Sequence, residues 1–277
     1  MNLGLISLDF PTWNDCIEAA ISFELGHVEL YLTRGDVREE YLERVSGKCH
    51  EAGITIHSLS CLSQLSQAEE DLPNQVAAIE RCIDLAAKFG VKNVGFMYGG
   101  NDHLDRIQAR KRFLGRVEPL IFRAESAGIF LLVENVFNRF PAGDLDTVEH
   151  TLLVYEELPM SVRLNFDFGN FAIAGEEAYP YAFECLKDRI GGIHLKDVTR
   201  FRDDSHYEYG RSRPLNECSR GLYVTVPVGA GSLNSAAILE TLASWPGSPP
   251  VMLEPFRDAV SREQWLHESL EFIRRVV

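Results

Sequence analysis

The 277 residues carry 41 acidic against 27 basic side chains, a net charge of −14, and are 45% hydrophobic and 25% charged. That balance describes a folded globular chain whose sign opposes a phosphate backbone, which argues against nucleic acid as a partner. No stretch approaches the roughly 18 apolar residues of a membrane span, and "MNLGLISLDF" lacks the basic start and long apolar run of a signal peptide, so no membrane partner and a cytoplasmic location are expected. Six cysteines, Cys16, Cys49, Cys61, Cys82, Cys185 and Cys218, show no C-x-x-C pair and read as reduced, packed thiols.

In chain order, short runs rich in Val, Ile, Leu and Phe predict strands at 3–8, 27–30, 54–60, 93–98, 129–135, 162–168, 190–198 and 251–255. Amphipathic patterns between and after them predict helices near 12–24, 37–52, 72–89, 104–127, 145–157, 178–188, 234–244 and 261–276. The basic cluster "QARKRFLGR" falls on one of these helices and reads as a solvated face. Glycine in "EAGITI", "FGVKNV" and "SAGIFL" closes helices just before strands, as C-cap chemistry requires. Eight strands alternating with eight helices predict a single-domain (β/α)8 TIM barrel over 1–277; a doubly wound open sheet is the competitor, but "SLDFPTW" after the first strand is no phosphate loop.

One interval breaks the rhythm. His194 and Glu254 stand 60 residues apart, and the excess, 199–226, follows the seventh strand on the face where barrel active sites form. It reads as a lid or substrate loop, with a solvated decoration or subunit contact as the alternatives; its Tyr207, Tyr209 and Tyr223 would suit a homodimer or homotetramer.

The run "LNFDFGNF" sets Asp167 in an apolar strand, where a carboxylate must be neutralised, hydrogen-bonded or bound to a metal. Three other strand ends carry ligand-type side chains, Glu134 in "LLVEN", His194 in "GGIHLKD" and Glu254 in "VMLEP". Singly, each has a plain explanation: His194 as a core histidine, Glu134 as a loop cap, Glu254 paired with an arginine such as Arg257, Lys196 and Asp197 as an ion pair. Jointly, four such groups on consecutive strand ends are explained by one divalent ion. Three carboxylates and one imidazole suit Mn²⁺ or Mg²⁺, with Co²⁺ or Zn²⁺ also compatible. Among second-tier positions, His57 ends "ITIH" and faces the mouth or the interior, Glu29 is read as holding a pocket lysine or arginine, and Phe10, Trp13, Tyr31 and Tyr98 wall the pocket or simply pack.

The ordered set "ENV", "DFGN", "HLKD", "VGAGSLN" and "LEP" resembles the xylose isomerase-like sugar isomerase and epimerase superfamily, which holds ketose 3-epimerases, hydroxypyruvate isomerase, inosose dehydratase, 3-dehydroshikimate dehydratases and endonuclease IV-type enzymes. The resemblance implies one divalent ion, manganese foremost, held by Glu134, Asp167, His194 and Glu254. It also implies that Glu134 and Glu254 form the acid/base pair acting on a small carbohydrate through an enediolate. Substrate contacts are expected from His57, Asn170, Lys196 and Arg200. Asn170 stands where epimerases commonly have histidine, and Phe140 where they place a substrate-binding glutamate, so a lyase or dehydratase of inosose dehydratase type is the alternative. The three-zinc endonuclease reading fails for want of histidines, of which the chain has eight. A non-catalytic sugar-binding role is the remaining reading.

Overall fold

The computed structural model describes residues 1–32, 38–66, 72–99, 105–137, 145–201, 216–218 (backbone only), 221–255 and 260–277. Seven strands come first: β1 (Leu3–Ile6), β2 (His27–Tyr31), β3 (Thr55–Gln64), β4 (Asn93–Met97), β5 (Phe130–Glu134), β6 (Val162–Asp167) and β7 (Ile190–Leu195). Three further strands, β8 (Asp197–Arg200), β9 (Asn216–Cys218) and β10 (Gly221–Val226), precede β11 (Val251–Leu253). Strands β1 to β7 and β11 close into a barrel in the order β1-β11-β7-β6-β5-β4-β3-β2, every pairing parallel. The chain is therefore a single-domain TIM barrel, as the alternation of strand and helix patterns predicts.

The outer ring comprises α1 (Trp13–Ser22), α2 (Glu39–Glu51), α3 (Leu72–Phe89), α4 (Arg106–Ser126), α5 (Val148–Tyr155), α6 (Phe168–Ala174), α7 (Phe183–Leu186), α8 (Ser235–Ser244) and α9 (Arg262–Val276). Their starts are chemical: the side chains of Thr12, Asp105, Thr147 and Ser261 each accept the backbone N–H three residues on, satisfying an orphan donor of the first turn. Gly90 and Gly128, at φ +72° and +68°, follow α3 and α4 in the left-handed conformation that closes a helix without steric cost. Along α4 the buried residues Ala109, Phe113, Val117, Leu120 and Ala124 recur at helical spacing and form its inward stripe. Truncating the fully buried Phe113 to alanine would cost roughly 3–5 kcal/mol, enough to threaten a marginally stable domain.

Four local expectations are corrected. The third strand does not stop at residue 60 but runs to Gln64, after a register shift between Val28 and Glu29 of its β2 partner. The run 190–198 is two strands, because the chain leaves the barrel after Leu195 and Asp197 opens an antiparallel sheet ordered β8-β10-β9. The stretch read as the continuation of the sixth strand turns into α6, and near 178–188 the only α-helical turn is α7.

The small sheet occupies the described part of the insertion. Val198 packs with Phe137 and Ile173, and the half-buried Tyr223 lies against the same cluster, so this side of the sheet is seated on the barrel rim. Phe140, Tyr207, Tyr209 and Arg257 lie outside the described residues.

Candidate metal centre and active site

Register decides which side chains meet. In a parallel sheet, paired residues share a face, so the pairings Ile6 with Glu29, Glu134 with Asn165, Asp167 with His194 and Met252 with His194 place these groups together inside the barrel. Asp167 and His194 are 0% and 1% exposed, while Glu134 and Glu254 keep 6% and 5%. Their strands stand in the order β11-β7-β6-β5, so the two glutamates flank the aspartate and histidine.

One ligand atom from each of Glu134, Asp167 and His194 lies within 4.8 Å of the others. His194 Nδ1 is 3.3 Å from Glu134 Oε1 and 4.0 Å from Asp167 Oδ2. Nδ1 and Asp167 Oδ2 are both buried without an aligned hydrogen bond, and hard oxygen donors beside an imidazole nitrogen are the donor set of a divalent cation; the residues fit one. Glu254 stands one ammonium away. Lys196 Nζ lies 2.8 Å from Asp167 Oδ2 and 2.5 Å from Glu254 Oε2, so the fourth expected ligand is turned to a lysine rather than to the trio.

Asp167 has two tasks. Its Oδ1 accepts the backbone N–H of Asn170 at 2.7 Å and so caps α6, leaving Oδ2 for the cluster. The Asn135 amide clamps the Asp167 backbone, its Nδ2 donating to the carbonyl at 2.9 Å and its Oδ1 accepting the N–H at 2.8 Å. Asn170 Nδ2 donates to Glu134 Oε1 at 3.1 Å and to the Asn135 carbonyl at 2.9 Å, so Asn170 orients a glutamate, while its buried Oδ1 receives no hydrogen bond. The glycine of "DFGN" is required sterically: a Cβ on Gly169 would sit 2.7 Å from the Cγ of Lys196.

Electrostatics follow from this crowding. Burial opposes charge on His194, yet Glu29 and Glu134 raise its pKa well above the usual imidazole range. Burial likewise opposes the Lys196 ammonium, and Asp167, Glu254 and Glu134 outweigh it and hold the lysine charged. Burial pushes the Glu254 carboxyl up, to about 8, against the pull of Lys196.

The other expected residues are scattered. His57 is the third residue of β3, not its end; burial drives its pKa down to about 4 against the pull of Glu29, with His27 and His194 adding to the lowering. Arg200 is the exposed last residue of β8, its guanidinium beside Gly221. The Trp13 indole donates to the Tyr31 carbonyl at 2.9 Å and stacks on Tyr41, and Tyr98 is fully buried against Phe113 and His150, so these two pack. Phe10 lies under the Arg262 guanidinium.

Asp197, the last residue of "HLKD", explains the motif "VGAGSLN". It accepts the N–H groups of Val198, Gly229 and Leu233 and the Ser235 hydroxyl, tying that loop to the end of β7. Glu29 holds neither lysine nor arginine but His194, through Oε2 and Nε2 at 3.0 Å. That link escaped the sequence reading because 165 residues separate the two; the available signal was a carboxylate in the apolar strand "HVELYL".

No curated protein sequence is significantly similar to the chain. Solved structures are similar in fold. D-psicose 3-epimerase with D-tagatose from Clostridium cellulolyticum H10 superposes with a TM-score of 0.75 at 18% identity, covering 100% of this chain and 99% of that one. The probable 3-DHS dehydratase AsbF from Bacillus anthracis gives 0.75 at 16%, covering 98% of each chain. A xylose isomerase-like TIM barrel protein from Mycobacterium smegmatis in complex with magnesium gives 0.69 at 18%, covering 99% and 96%. Residues 17–276 match the family model described as xylose isomerase-like TIM barrel, and the chain belongs to that family.

Proposed function

We propose that the protein is a divalent-metal-dependent isomerase or epimerase of a small sugar or keto-sugar, with Glu134 and Glu254 as its acid/base pair. The observation that carries this is the buried trio Glu134, Asp167 and His194, with Glu134 and Glu254 on either side of the aspartate and histidine and slightly more exposed than they are. A divalent ion, Mn²⁺ foremost, held by the trio with Glu254 as the expected fourth ligand supplies Lewis-acid stabilisation of negative charge developing on a carbonyl oxygen. Glu134, oriented by Asn170, takes or returns the proton on one side of the substrate, and Glu254, steadied by Lys196, does so on the other. The sugar epimerases among its structural neighbours support this reading.

A second reading, a lyase or dehydratase of a related polyol or keto-sugar, shares the first proton abstraction. One observation favours it: the Lys196 ammonium at 2.5 Å from Glu254 adds a fixed positive charge that can polarise a departing hydroxyl. The fold shared with the 3-DHS dehydratase is consistent with it. The test is to incubate the metal-loaded enzyme with a panel of keto-sugars in D₂O. Deuterium entering next to the carbonyl without change of formula, abolished by Glu134→Gln and by Glu254→Gln, is the expected result; loss of one water establishes the lyase, and exchange retained in either variant overturns the two-base assignment.

A further inference from the structure

We propose that Glu29 is a positioning residue of this site: its carboxylate holds the Nε2 proton of His194 and so presents the Nδ1 lone pair to Glu134 and Asp167. The inference rests on the metal reading above and extends it to a residue outside the ligand set.

Glu29 lies on β2, separated from β7 around the ring by β1 and β11, and is 1% exposed. A carboxylate so deep is costly unless both oxygens are occupied. Here they are: Ser60 Oγ donates to Oε1 at 2.7 Å, and Oε2 faces His194 Nε2 at 3.0 Å. Gly95 keeps the arrangement clear of obstruction, since a Cβ there would stand 2.2 Å from Ser60 Oγ and 3.6 Å from Glu29 Oε1. Asn165 Nδ2 lies 2.8 Å from the same Nε2 while its buried Oδ1 has no hydrogen bond; turning the amide end for end, which the Nε2–H tautomer requires, makes that oxygen a second acceptor beside Glu29, and Gly192 leaves room for it.

A neutral imidazole carries one proton and one lone pair. Nδ1 is the nitrogen that faces the two ligand carboxylates, so it must bear the lone pair if His194 is to bind a cation there. The proton then belongs on Nε2, where the carboxylate of Glu29 is the strong acceptor. Without that acceptor the two tautomers become comparable and the ring loses its fixed orientation. Partners of this kind change metal affinity by roughly 10–100-fold when removed.

The experiment compares wild type with Glu29→Met, which keeps volume and removes the acceptor, Glu29→Gln, which keeps an acceptor, and Ser60→Ala, which frees the carboxylate. Mn²⁺ affinity is measured by calorimetric titration, and the His194 tautomer by NMR of ¹⁵N-histidine protein loaded with Zn²⁺. We expect Nε2–H in the wild type, Mn²⁺ binding weakened about 10–100-fold in Glu29→Met, a smaller loss in Ser60→Ala, and substantial rescue in Glu29→Gln. Should Glu29→Met fail to fold, Ser60→Ala and Glu29→Gln decide: unchanged affinity in the first together with an Nδ1–H tautomer in the wild type overturns the proposal. Wild-type affinity in a folded Glu29→Met also overturns it while leaving the metal site standing, whereas no Mn²⁺ uptake by the wild type overturns both.

Discussion

Lys196→Met separates the lysine's structural role from that of the metal. Lys196 is 4% exposed, and its ammonium bridges Asp167 at 2.8 Å and Glu254 at 2.5 Å. At an effective dielectric of about 20, a unit pair at that separation attracts by about 6 kcal/mol, and desolvation offsets much of it. Removing one partner of a buried pair is a different matter, because uncompensated charge stays behind at a cost of roughly 3–5 kcal/mol. The metal-free variant should therefore melt about 6–10 °C below wild type, at roughly 2 °C per kcal/mol for a large domain. A proton on Glu254 can replace the ammonium only while it is bound, so the deficit should widen as pH rises. Mn²⁺ should then close the gap, since ligand at about a thousand times its Kd contributes about 4 kcal/mol, and it should bind the variant more tightly because no ammonium competes for Asp167. Thermal unfolding in EDTA and in Mn²⁺, with calorimetric titration, reads both effects. An unchanged melting temperature in EDTA, or weaker Mn²⁺ binding, would refute the reasoning.

Other perturbations probe the frame around the site. His57 has a pKa of about 4 in the fold against roughly 6.5 in the unfolded chain, so stability is full above the unfolded value and falls as pH drops toward 4. Between about pH 7 and pH 5 this group alone should remove about 2 kcal/mol, and urea titrations should show that slope reduced in His57→Asn. Asp197→Ala strands the N–H groups of Val198, Gly229 and Leu233, and should cost about 3 kcal/mol in urea unfolding while opening the loop after β10 to protease. Gly169→Ala sets a methyl 2.7 Å from the Lys196 Cγ and 3.2 Å from its carbonyl, an overpacking of roughly 1–3 kcal/mol that a lowered melting temperature would register.

The barrel was legible because strand and helix periods differ and because glycines, Gly53, Gly90 and Gly128, close α2, α3 and α4 just before strands. The meeting of Glu134, Asp167 and His194 was legible for the same reason: they stand at the ends of consecutive strands, and closing a barrel brings such ends together whatever lies between them. Local ambiguity accounts for the misses. "FGNFAIA" is apolar apart from Asn170, and composition does not separate a buried strand from a short buried helix; the decisive signal was Asp167 as an N-cap with Gly175 at the far end, at φ +86°. His57 closes the short run "ITIH", but the strand does not end there: Ser58 pairs with Glu29 and Ser60 with Gly95, and β3 runs on to Gln64. The partners of Glu29 and Lys196 depend on closure of the ring and on rotamers, neither of which is encoded in spacing.

The central claim, a cation held by Glu134, Asp167 and His194, is tested most directly by the metal content of purified protein. Elemental mass spectrometry of wild type, Asp167→Ala and His194→Ala, each dialysed after exposure to Mn²⁺ and each checked for native circular dichroism, should find about one divalent ion per wild-type chain and almost none in folded variants. Wild-type protein that retains no ion, or variants that retain it fully, would contradict the account.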